Sequence, residues 1–215
     1  MESRKDAFSL SEFLDALYSK EPVPGGGGVA ALCIAMGACL CGMVSNLTVG
    51  KKKYAAYEEE MQQMIKRALF LKNKSEMMIA EDAKQFAVLR EAYGLVAENE
   101  AEKEYKNQQI QQALRDALKP PMQCIYTAND VVILLEQLLE KGNTLLLSDV
   151  GVGAECICAG IKSAWLTALI NLNSIDDKAW VAEVKEEMLT IVEDTTTRCK
   201  MIYRKVEEIL CKPEN

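Results

Sequence analysis

From Tyr54 to Tyr93 the chain has neither glycine nor proline, and no other feature constrains the fold as strongly. A single helix through that run reaches roughly 55–60 Å, so its neighbours must pack along it lengthwise. Its apolar residues step as a helix requires: Met64, Ala68, Leu71, Met78, Phe86, Leu89 and Tyr93 fall on one stripe. Gly94 supplies the stop.

The rest of the chain reads the same way. Only 5 prolines occur in 215 residues, and Ala, Leu, Glu, Lys, Gln and Met, all good helix formers, fill the stretches between them. No segment alternates apolar and polar residues long enough to make a strand. Ser9 and Glu12 form a capping box ahead of a short helix. The run Glu21–Gly28, EPVPGGGG, reads as a turn or loop. Further helices are expected over about Val29–Val49, Glu100–Leu118 (ended by Pro120 and Pro121), Met122–Lys141, Asp149–Leu172, and from a cap at Asp176 or Asp177 to about Leu210. The expected fold is all-α, one helical bundle domain spanning 1–215.

Two of those helices carry almost no charge. In Val29–Val49 the residues Ala31, Ala35, Ala38, Gly42 and Ser45 recur at three- and four-residue steps, and Gly151, Gly153, Ala154, Gly160, Ser163 and Ala164 enrich the other. Val29–Gly50 is long enough to cross a bilayer. Ser45, Asn46, Thr48 and the many Ala and Gly favour a buried core helix instead. One copy of the chain has little material to cover both helices, so a homodimer with these helices near its interface is expected.

Charge and composition narrow the function classes. A net charge of −7 with no long basic block makes nucleic acid and anionic membrane poor partners. Met1–Asp6 is charged with no apolar run behind it, so no secretory signal is expected and the cytoplasm is the expected compartment. The pairs Cys39/Cys41 and Cys156/Cys158 lie two apart in helices, about 200° around the axis, so neither pair chelates a metal alone. There is no histidine. Any proton transfer must use carboxylates, Lys, Tyr, Cys or water.

Ser75 and Asp82 sit in register on the apolar stripe of the long helix. An Asp facing a core either titrates high enough to serve as an acid or base, or pairs with a lysine from another helix. The residues alone leave both open. Asn46, Asn143, Asp149 and Asn171 are polar residues beside apolar ones, each readable as a cross-helix hydrogen bond or, together, as contacts for an amide-rich heterocycle. Lys51, Lys52 and Lys53 form a solvated helix end or a seat for a polyanionic ligand. The glycine run lacks the lysine and preceding strand of a phosphate loop.

PVPGGGGVAAL at 22–32 and NLTVGKKKY at 46–54 resemble two signature stretches of the formiminotetrahydrofolate cyclodeaminase/methenyltetrahydrofolate cyclohydrolase family. EDAKQF at 81–86, GNTLLLSD at 142–149 and INLNSIDD at 170–177 follow in the family's order and spacing. The resemblance covers most of the chain. It implies an all-helical homodimer acting on the N5/N10 bridge of tetrahydrofolate, with no metal or redox cofactor. By that resemblance Asp82 is the acid/base, and Gly25, Gly26 and Gly27 form the loop that approaches the ligand. Lys51, Lys52 and Lys53 then meet a polyglutamate tail, with Asn46, Asn143, Asp149 and Asn171 on the pterin side. Gly28 stands where the family commonly has Ser, and Thr167 where Asn is common. The competing reading is a non-catalytic helical scaffold that keeps the same fold and binds a folate or a protein.

Overall fold

The computed structural model describes residues 9–212, so the reading of Met1–Asp6 lies outside the described residues. Six α-helices follow in order: α1 Leu10–Tyr18, α2 Gly26–Asn46, α3 Glu58–Gly94, α4 Glu100–Lys141, α5 Leu147–Ser174 and α6 Lys178–Leu210. Short 3-10 turns, Lys52–Tyr57 and Thr144–Leu146, lead into α3 and α5. No strand occurs among the described residues, so the all-α expectation holds.

Local signals place most of the boundaries. Ser9 accepts from the Glu12 N–H while Glu12 accepts from Ser9, which closes the capping box of α1. Asn99 and Glu102 do the same for α4. Asp177 caps α6 by accepting from the Trp180 N–H. α3 ends on Gly94, as expected.

Against the sequence expectation α2 ends at Asn46, short of Val49, and α3 starts at Glu58 after a 3-10 turn, not at Tyr54; two further boundaries differ more. Gly26, Gly27 and Gly28 are helical and form the first turn of α2, with Gly25 as its cap. First-turn N–H groups have no intrahelical acceptor in any case, so the usual cost of interior glycine is reduced there. More conspicuously, Pro120 and Pro121 do not end a helix; α4 runs through them for 42 residues, and both rings are buried. Pro121 cannot donate to the Ala117 carbonyl four residues back. The Asn171 side chain from α5 makes that bond instead, Nδ2 to Ala117 O at 3.1 Å.

α2 packs against α3, α4 and α5, and α5 in turn against α4 and α6. Its small residues make this possible. A methyl group at Gly37 would strike Ile157, and one at Gly160 would strike Ile34 and the Ala30 carbonyl. Ala38 is wholly buried and Ala35 nearly so within a single chain. The small-residue face that the sequence assigned to a dimer contact is therefore occupied by intrachain packing. By length and composition α2 and the Thr144–Ser174 segment could each cross a membrane, yet both have half or more of their apolar window buried in the bundle. On their outer sides they carry Met36, Met43, Leu47, Val152, Leu166 and Ile170, all exposed.

The stripe on α3 is buried continuously in its first half and only in part beyond it, where Leu89 is buried. Met64, Ala68, Leu71 and Ser75 are enclosed, whereas Phe86 is 40% and Tyr93 49% exposed. Asp82 lies at the transition, half-buried, where the core opens to an edge.

Candidate functional site

Helices α2 and α3 run antiparallel: Gly42 lies beside Ala68, Gly28 beside Ile79, and Gly27 against Asp82. α5 is antiparallel to α2 as well, with Gly37 near Ile157 and Gly26 near Thr167. These registers sort the candidate residues. Gly25, Gly26, Gly27, Asp82 and Asn171 gather at the N-terminal end of α2. Asn46, Lys51, Lys52, Lys53, Asn143 and Asp149 gather at its C-terminal end. The 21 residues of α2 separate the two groups by roughly 30 Å.

At the N-terminal end the Asp82 carboxyl lies directly against Gly27. A Cβ there would overlap it, so only glycine admits the carboxyl this close. The Gly28 N–H donates to it. Burial raises the Asp82 pKa above the ordinary carboxylate range, and the Gly28 bond opposes part of that rise. No lysine or arginine forms an ion pair with Asp82 among the described residues, so the paired-Asp alternative finds no partner here. Phe13 of α1, Pro24 and Ile79 approach Gly28 and wall the same turn. Cys124 of α4 is buried near enough for the Asp82 charge to act on it, and burial pushes its thiol up to about 12.

The other side of the turn is open. Gly26 is exposed, and the nearest group to the position of a Cβ there is Thr167 Oγ1, at 3.8 Å. The Gly26 and Gly27 N–H groups, being in the first turn, point out of the helix end without intrahelical acceptors. The arrangement is therefore a carboxyl whose pKa burial raises, first-turn N–H groups without intrahelical acceptors and a hydroxyl around a helix end with no side chains of its own. Such a set can move a proton and stabilise a developing oxyanion.

The C-terminal end is built differently. The Asn143 N–H donates to Thr48 Oγ1 at 3.0 Å, and Asn143 Nδ2 to the Leu47 carbonyl at 3.3 Å. Its Oδ1 accepts from the Leu145 N–H and from the Tyr54 hydroxyl. Tyr54 in turn accepts from the Thr144 N–H at 2.9 Å, and Lys53 Nζ donates to Thr144 Oγ1 at 3.3 Å. Asn46 Nδ2 is bonded to the Gly42 carbonyl of its own helix. Asp149 is half-buried in the first turn of α5, where its charge suits the helix end. Lys51, Lys52 and Lys53 are exposed.

Asn171, though at the glycine end, has its amide committed to the proline gap in α4. Cys124 and Ile79 are neighbours of the site that the sequence did not single out. Cys124 has no signal beyond facing a core, whereas Ile79 lies three residues before Asp82 and so shares its helix face.

Comparison with known proteins fits this geometry. Residues 9–190 match the family model described as formiminotransferase-cyclodeaminase. A methenyltetrahydrofolate cyclohydrolase of Methylorubrum extorquens is 37% identical over 93% of this chain and 96% of its own. The formimidoyltransferase-cyclodeaminase of Sus scrofa is 27% identical over 92% of this chain, which spans only 37% of that longer protein. The crystal structure of a formiminotetrahydrofolate cyclodeaminase from Thermotoga maritima superposes with a TM-score of 0.78 at 30% identity, over 94% of this chain and 96% of that one. An all-helical bundle with its half-buried aspartate set against a glycine turn, matched along nearly its whole length, belongs to the formiminotransferase-cyclodeaminase family.

Proposed function

We propose that this chain is an enzyme of folate one-carbon metabolism that works on the N5/N10 bridge of tetrahydrofolate. Hydrolysis of the 5,10-methenyl bridge to a formyl folate is its leading reaction. Cyclodeamination of 5-formiminotetrahydrofolate to the same methenyl compound, with loss of ammonia, is the second reaction of the same pocket. The 37% identity to a cyclohydrolase of nearly equal length supports the first, and the 30% identity to a cyclodeaminase structure supports the second.

The observation that carries the reading is the state of Asp82: half-buried, raised in pKa, free of any ion pair among the described residues, and set against the first turn of α2. In hydrolysis, water oxygen bonds to the bridge carbon and one water proton passes to Asp82. The adduct then collapses to C=O, releasing its hydroxyl proton. One C–N bond breaks, and the departing nitrogen takes the proton from Asp82. The methenyl bridge starts as a cation, so one proton is released overall. The Gly26 and Gly27 N–H groups are the proposed donors to the adduct oxygen. No change of oxidation state occurs, so the chemistry calls for no redox cofactor.

Lys51, Lys52 and Lys53 are the proposed receivers of a polyglutamate tail. They stand roughly 30 Å from Asp82 along α2, a span that a tail of several glutamates or an antiparallel partner closes. Asn46, Asn143, Asp149 and Asn171 were expected on the pterin side; of these only Asn171 shares an end of α2 with Asp82. The exposed apolar faces of α2 and α5 support a homodimer, with Leu166 (64% exposed) and Ile170 (71%) as interface residues in place of the small ones. The cytoplasm is the proposed compartment, since all eight cysteines are free thiols.

The test is direct: add 5,10-methenyltetrahydrofolate to purified protein and follow the loss of its absorbance, with 5-formiminotetrahydrofolate in parallel. Turnover of one or both is expected. Tight binding of either folate without turnover would turn the reading toward a scaffold. Light scattering at micromolar concentration, with Leu166→Asp as the disrupting variant, checks the dimer.

A further inference from the structure

The register that brings Asp82 to Gly27 also fixes what lies beyond them. α2 starts at Gly26 and runs antiparallel to α3, so residues 83–94 of α3 continue past the end of α2. The α3 face that meets α2 at Ala68, Ile79 and Asp82 carries Phe86 one turn further on. Residues four apart on a helix have their Cβ atoms about 6 Å from each other, so the Phe86 ring and the Asp82 carboxyl are neighbours on one face.

The two sides of Asp82 differ. Toward the start of α3, Ile79, Pro24 and the buried Phe13 close around Gly28. Toward its end the face is open: Phe86 is exposed, and so is Tyr93 two turns beyond it. The Gly26 and Gly27 N–H groups point to this open side, because helix N–H bonds run toward the N-terminus and α2 is antiparallel to α3. One exposed phenylalanine is ordinary on any surface. This one borders the same space as a carboxyl of raised pKa and a helix end with free donors.

We infer that Phe86 is a substrate-binding residue whose ring stacks on the p-aminobenzoyl ring of the folate. This rests on the folate reading above and adds to it the orientation of the substrate. A bridge carbon held at Asp82 has N5 and the pterin on one side and N10 and the benzoyl ring on the other. The pterin carries amide and amino groups that need hydrogen-bonding partners, and Phe86 offers only apolar ring surface. The benzoyl ring is flat, aromatic and bonded directly to N10, so it is the part that suits a phenylalanine one turn from Asp82. Such a contact is made alike in the bound substrate and in the transition state, so it acts on binding and not on bond breaking.

The experiment compares wild type with Phe86→Ala, Phe86→Leu and Phe86→Tyr, using p-aminobenzoylglutamate and a tetrahydropterin without the benzoyl group as competing fragments. For Phe86→Ala the expected KM for 5,10-methenyltetrahydrofolate is roughly three- to tenfold higher, the worth of one aromatic pair. Its kcat should stay within about twofold. Inhibition by p-aminobenzoylglutamate should weaken by the same factor, and inhibition by the tetrahydropterin should not change. Tyrosine keeps the ring and should match wild type; leucine keeps bulk without a ring and should lie near alanine. An unchanged KM in Phe86→Ala would overturn this inference alone, as would a weakening confined to the tetrahydropterin. So would a variant that loses assembly in light scattering, or melting temperature, and binds every ligand worse, since Phe86 is then a packing or interface residue. A wild type that neither binds nor turns over either folate would overturn the folate reading and this inference with it.

Discussion

The two ends of α2 are equally polar but differ in how completely their polar groups are satisfied. At the C-terminal end Thr48, Tyr54, Asn143 and Thr144 bond to one another and to backbone, and Asn143 has every polar group in use. At the N-terminal end Asp82 has one backbone donor and no counter-ion among the described residues, Thr167 keeps its lone pairs, and the helix contributes N–H groups without side chains. A closed network stabilises the fold and offers a ligand nothing without first being broken. An incomplete set, in a half-open place, is what binds or transfers. Polar residues beside apolar ones therefore mark both structure and chemistry, and the unfilled valence separates them.

The largest test of that contrast is Asp82→Asn. Turnover should fall about 10²- to 10⁴-fold with folate affinity largely intact, since the shape is kept and only the titrating group is lost. Stability should move the other way. Burial places the folded-state pKa of Asp82 above its unfolded value, so the protonated form is favoured in the fold. That contribution is complete below the unfolded pKa and is lost as pH rises through the folded one. Asparagine should therefore match or exceed wild-type stability near neutral pH, with the difference vanishing below about pH 4. Melting curves across pH, with single-turnover rates on the same protein, check both parts. A folded variant with near-normal turnover would remove Asp82 from the mechanism.

Gly27→Ala attacks the same end without touching the carboxyl's chemistry. Its methyl group would occupy the place of the Asp82 side chain, which must rotate away and lose the Gly28 N–H. A displacement of about 1 Å at a catalytic group can cost roughly 10²-fold in rate. Unfolding should cost only ~1–3 kcal/mol. An alanine variant with full activity would show that the close approach of Asp82 to α2 is incidental.

Asn143→Ala should give the reverse pattern. Three side-chain bonds disappear, and a cost of about 1–3 kcal/mol is expected from the groups left unpaired. In a chain of this size that is a melting-point drop of roughly 2–12 °C. Turnover and KM of the folded protein should be unchanged. A raised KM for folate without loss of stability would instead make Asn143 a ligand contact.

The smallest effect is expected from replacing Lys51, Lys52 and Lys53 with Gln. KM should rise roughly three- to tenfold for polyglutamylated folate and much less for the monoglutamate, because exposed charge pairs are individually weak. Added salt should erase the difference. Equal changes on both substrates would leave the lysines as a solvated helix end.

The sequence by itself determined whatever rests on neighbours a few residues apart. Capping boxes at Ser9 and Asn99, the stop at Gly94 and the cap at Asp177 involve groups within one helical turn, so the all-α fold and most helix ends follow from the order of residues. Asp82 was visible for the same reason, as a carboxyl in register with Met78 and Leu89.

Tertiary structure decided whatever depends on a distant partner. Helix α4 passes Pro120 and Pro121 because Asn171, 54 positions from Ala117, supplies the missing donor, and no local pattern contains that residue. Asn143 belongs to the frame because Thr48, 95 positions away, and Tyr54 meet it. Phe86 continues an apolar stripe by period yet is 40% exposed while Leu89, one turn on, is buried, so what covers each position is set by the neighbouring helices and not by the period. Helical periodicity assigns a residue to a face; which faces are covered, and which polar atoms are left unpaired, is decided only when distant segments pack.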